Sequence, residues 1–68
     1  MQLTAVVSIA PEGGYIALNP ETGTTTQGES VDEALANLKE ATELYLEEVG
    51  DPPIGKAIVT TIEVATHA

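Results

Sequence analysis

At 68 residues, with eleven acids against Lys39 and Lys56 alone and a formal charge of −9, the chain has room for a single small domain, residues 1–68, and for no second core. Those charges argue against nucleic acid, because affinity for phosphate comes mainly from Lys and Arg displacing counterions, so no direct DNA or RNA binding is expected. There is no Cys, hence no disulfide scaffold and no sign of an oxidising compartment, and the cytoplasm is the expected location.

Gln2–Ala10 alternates, with Leu3, Ala5, Val7 and Ile9 on one side and Gln2, Thr4, Val6 and Ser8 on the other, which predicts a half-buried strand. Pro11-Glu12-Gly13-Gly14 supplies the turn that sends Tyr15–Asn19 back as an antiparallel strand. A second turn cluster, Asn19-Pro20-Glu21-Thr22-Gly23, precedes Thr24–Gln27, short and β-branched, a weak third strand.

Ser30 with Glu33 forms a capping box that opens a helix. Val31, Ala34, Leu35, Leu38, Ala41, Tyr45 and Val49 then recur at helical spacing, while Glu33, Glu40, Glu43 and Glu47 gather opposite them, an amphipathic pattern with one face for a sheet. Gly50 and Asp51-Pro52-Pro53 end it near Val49. Lys56–Val64 alternates again, Ile58, Thr60, Ile62 and Val64 against Ala57, Val59, Thr61 and Glu63, and is expected to be a last strand. The order βββαβ predicts an α+β fold of two layers. One helix would cover one face of a four-stranded sheet through a right-handed crossover, leaving the other face open. Leu, Ile and Val make 17 residues, and Tyr15 and Tyr45 are the only aromatics. So thin a core favours assembly as a homodimer or homotetramer. No apolar run approaches the roughly 20 residues of a membrane span, and the amino-terminal residues lack the basic flank of a leader, so no membrane or targeting segment is expected.

Glu12-Gly13-Gly14-Tyr15, Pro20-Glu21, Thr26-Gln27-Gly28, Asp32-Glu33-Ala34 and Leu44-Tyr45-Leu46-Glu47-Glu48, in this order and spacing, resemble the HicB-like antitoxin family over almost the whole chain. Thr22-Gly23-Thr24 replaces the Leu-Pro-Gly-Cys-like segment usual there. The resemblance implies a truncated ribonuclease-H-like domain with sheet order 3-2-1-4, which neutralises a small basic ribonuclease toxin of the HicA type by masking its active surface. The DNA-binding segment that many relatives append is not found here. An orphan binding or regulatory module that assembles with itself and has no toxin partner is the alternative.

An enzyme is not expected. Two-metal phosphodiester chemistry on such a fold needs clustered carboxylates with one on the first strand, and Gln2–Ala10 carries none. No catalytic, metal or cofactor site is assigned. His67 is the only histidine, beside the carboxy terminus, and receives no role. Gly13-Gly14 lies in a strand-to-strand turn rather than before a helix and lacks a Lys, so turn geometry explains it better than phosphate binding does. The candidate partner-binding residues are Tyr15, Glu40, Glu43, Leu44 and Glu47. Tyr15 is either core or contact. Leu44 projects away from Val31, Leu38 and Tyr45 toward the acids, where a single exposed leucine is either unremarkable surface or an anchor.

Overall fold

The computed structural model describes residues 1–52 and 54–66. Three strands, β1 (Val6–Ile9), β2 (Tyr15–Asn19) and β3 (Thr24–Gly28), precede one helix, α1 (Val31–Val49). The strands form an antiparallel sheet in the order β1-β2-β3. Val6 faces Leu18 and Ile9 faces Tyr15, while Tyr15 faces Gly28 and Asn19 faces Thr24. This register places Val7, Tyr15, Ala17 and Thr26 on one face, and α1 lies across it.

Both turns obey local chemistry. Between β1 and β2 the Ala10 N–H donates to the Gly14 carbonyl at 3.0 Å and the Gly13 N–H to the Ala10 carbonyl at 3.1 Å. Gly14 has φ +77, and a Cβ on it would stand 2.8 Å from the Gly28 carbonyl oxygen, so only glycine serves both the turn and the close pass. Between β2 and β3 the Asn19 side-chain oxygen accepts the Thr22 N–H at 2.9 Å, an Asx turn.

The helix begins as its capping residues require. Ser30 is extended and its hydroxyl oxygen accepts the Glu33 N–H at 3.1 Å. The reciprocal bond is displaced by one residue: the Glu33 carboxylate takes the Glu29 N–H at 2.9 Å rather than that of Ser30. At the other end the Gly50 N–H donates to the Leu46 carbonyl at 2.9 Å. The core is Ala17, Ala34 and Leu38, with Val7 and Tyr15 packed on it. Small residues let helix and sheet approach closely. A Cβ on Gly28 would lie 2.4 Å from the Ala34 nitrogen, so the β3 backbone passes directly beneath the first turn of α1. The Thr26 hydroxyl donates to the Ala34 carbonyl at 3.0 Å and the Asn37 amide to the Gln27 carbonyl at 2.8 Å, tying helix to strand.

Two expectations need correction. The sheet has three strands, not four, and the order 3-2-1-4 with its crossover and the ribonuclease-H-like topology falls with the missing strand. Lys56–Val64 is strand-like in pattern but forms no ladder with the sheet. Among the described residues it is joined to the body by a hydrogen bond from the Ala57 N–H to a carboxylate oxygen of Glu21 at 2.6 Å. Beyond this point Ile58, Val59, Ile62 and Val64 are exposed. Alternation signals that a segment can pair, while pairing itself depends on partners distant in sequence. The first strand is also shorter than Gln2–Ala10 for a related reason. Thr4 gives its N–H to the Glu21 carboxylate and its carbonyl to the Asn19 amide, so side chains replace the ladder there and pairing begins at Val6. His67 and Pro53 lie outside the described residues.

Candidate functional site

Along α1, Glu33, Glu40, Leu44 and Glu47 fall within a narrow arc at 100° per residue, with Glu43 at its margin. All five are exposed. Leu44 is 57% exposed in the middle of a carboxylate stripe, and Glu43, Leu44, Leu46 and Glu47 border one shallow depression. Lys39 Nζ lies 3.0 Å from a carboxylate oxygen of Glu43, an exposed i,i+4 pair worth about 0.3–0.5 kcal/mol. Eight of the eleven acids fall between Glu29 and Asp51, so negative charge is concentrated on the helix and its flanks.

The structure therefore brings Glu40, Glu43, Leu44 and Glu47 together and leaves Tyr15 apart. Tyr15 packs partly buried against Ala17, Ala34 and Leu38, at the end of α1 that begins with Ser30. From Ala34 to Leu44 the helix rises about 15 Å. Glu12, Glu29 and Glu33 rim the depression beside the Tyr15 ring.

Sequence reasoning missed Glu21, treated there as a turn residue. It is 1% exposed. One carboxylate oxygen accepts the Thr4 N–H at 2.8 Å and the Asn19 amide at 2.6 Å, and the other accepts the Thr4 hydroxyl and the Ala57 N–H, each at 2.6 Å. Burial alone would raise the pKa of Glu21, but the donors from Thr4, Ala57 and Asn19 together outweigh it and hold the pKa at about 2, below the ordinary 4.5. A carboxylate saturated with donors in this way joins distant parts of the chain and has no lone pair directed at a substrate. The only local signal was the turn itself, which places an acid two residues after an Asn.

A second feature is an apolar groove of about 450 Å³ between the lead-in to β1 and the helix, walled by Met1, Leu3, Ala5, Leu35, Leu38 and Leu46. It exists because α1 lies over β3 and β2 and barely meets β1. Thr42 lines it, and the Thr42 hydroxyl is buried without a hydrogen-bond partner. Among the described residues there is no group of three or more His, Asp or Glu placed to hold a metal ion, and no helix long and apolar enough to cross a membrane.

Comparison with known proteins adds a family. The model of a family of unknown function (DUF7387) matches residues 4–66. The UPF0150 protein ssl0738 of Synechocystis sp. is 44% identical over 48 residues, 69% of this chain and 67% of that protein. No solved structure matches. Neither description names an antitoxin, so the likeness to HicB-like antitoxins is carried by the residues quoted for it.

Proposed function

The chain belongs to the family of unknown function (DUF7387), and we propose that it is a protein-binding module of antitoxin type, which inactivates a small basic ribonuclease of HicA-like character by covering its RNA-binding surface. The observation that carries this reading is the exposed stripe of Glu33, Glu40, Glu43 and Glu47 with Leu44 set within it. Carboxylates at helical spacing imitate a run of phosphates for a surface evolved to hold RNA, and they speed encounter more than they add net affinity. Leu44 supplies the apolar anchor that such a contact needs for a slow dissociation. In this reading the chain performs no chemistry of its own and binds neither DNA nor RNA. The reading is tested by co-expression with any short basic open reading frame found adjacent to its gene. Rescue of growth together with a complex on pull-down supports it, and the absence of both rules it out.

A second reading, an orphan module that assembles with its own kind, is favoured by a different observation: the exposure of Ile58, Val59, Ile62 and Val64 beyond the helix.

A further inference from the structure

We infer that the groove between the β1 lead-in and α1 is the seat for the Ile58–Val64 segment of a second copy, so that two chains exchange these segments reciprocally. The inference deepens the self-assembly reading and is independent of any basic partner.

Charge selects the occupant. The chain carries −9 overall, yet residues 1–10 hold no charged side chain, and in 56–66 Lys56 and Glu63 cancel. The α1 wall of the groove adds Lys39 and Glu43, which pair with each other at 3.0 Å, so groove and segment are each balanced in charge and one acidic copy can approach another there without the repulsion that like charges cause at an interface. Both stretches are apolar, and both lie open in the single chain: Ile58 is 92% and Ile62 82% exposed, while none of the described residues beyond Leu46 lines the groove.

Shape and hydrogen bonding agree. The α1 wall of the groove runs from Leu35 to Leu46, about 17 Å, which an extended run of about five residues such as Ile58–Ile62 spans. On one side of the segment Ile58, Ile62 and Val64 are apolar and Thr60 is polar. The groove is walled largely by apolar side chains, with Lys39 and Glu43 also lining it, and holds one buried, unpartnered hydroxyl, that of Thr42. An uncompensated buried hydroxyl is costly, and a strand laid in the groove brings backbone and Thr60 groups able to satisfy it. Ala57 stays with its own chain, since its N–H is held by Glu21, which also bonds Thr4 and Asn19 of the groove lining, so the stretch that crosses to the second copy begins at Ile58. A twofold arrangement then fills both grooves and covers both segments, which closes the assembly at two copies.

The test uses the full chain at micromolar concentration, with mass measured by light scattering and helix content by circular dichroism. The wild type should give twice 7.0 kDa. Ile58→Lys with Ile62→Lys removes the apolar side of the segment, and Ala5→Arg obstructs the groove. All three side chains are exposed in the single chain, so helix content should be unchanged while each variant drops to the mass of one chain. An equimolar mixture of the two variants restores one of the two exchanged contacts, an intact groove from one and an intact segment from the other, so a mass above that of either variant alone supports the inference. A wild type of 7.0 kDa or doubled mass persisting in both variants would each overturn the inference.

Discussion

The carboxylate of Glu21 accepts the backbone N–H of Ala57 at 2.6 Å across a sequence separation of 36, and it is this bond that fastens the segment beyond the helix to the corner where β1 begins. The same side chain holds Thr4 and Asn19, so one turn residue organises both ends of the chain.

Glu21 should make stability depend on pH. Its folded pKa, about 2, lies below the ordinary 4.5, so its contribution is fully present above the unfolded value and is lost as the pH falls from about 4.5 toward about 2. Melting temperature measured across that range should fall steeply in the wild type. Glu21→Gln should flatten the dependence and lower the melting temperature at neutral pH, while the surface control Glu40→Gln should change neither.

The passage of β3 beneath α1 predicts a sharp steric response. Gly28→Ala places a methyl group 2.4 Å from the Ala34 nitrogen, and backbone on both sides must move apart. Overpacking of this kind costs about 1–3 kcal/mol, to be read from urea unfolding midpoints, whereas Gly23→Ala, whose Cβ would meet nothing within 4 Å, should cost less despite its positive φ.

Removing the helix cap isolates a local term. Ser30→Ala deletes the acceptor of the Glu33 N–H and should destabilise the protein by about 1 kcal/mol, with Ser30→Asp close to neutral. Thermal unfolding followed by circular dichroism would register both.

The acidic stripe and Tyr15 should separate in their effects on a basic partner. Glu43→Lys with Glu47→Lys should reduce the association rate and flatten its salt dependence, leaving stability within about 0.5 kcal/mol. Tyr15→Ala should instead act through the core against which Tyr15 packs, lowering stability by about 2 kcal/mol. Stopped-flow binding beside chemical unfolding distinguishes the two, and a stripe variant that associates at the wild-type rate would count against the proposed interface.

What the sequence determined by itself was whatever depends on neighbours a few residues apart. The helix runs from Val31 to Val49 under a Ser30 cap and a Gly50 stop, as capping chemistry and the 3.6-residue period require. The strands Tyr15–Asn19 and Thr24–Gly28 follow from their turns, and the stripe that joins Glu40, Glu43, Leu44 and Glu47 follows from helical spacing alone. Only the tertiary structure decided whether Lys56–Val64 entered the sheet, where Glu21 pointed, and that Tyr15 packs on the core at a distance from the stripe. Alternating apolar residues state that a segment can form a strand, but its ladder must be completed by backbone groups far away in the chain. Here the corner where such a ladder would begin is occupied by the Glu21 carboxylate, bonded to Thr4 on one side and to Ala57 on the other. A turn residue becomes a buried carboxylate here because donors from two distant positions, Thr4 and Ala57, join the neighbouring Asn19 on it, and no local pattern encodes that convergence.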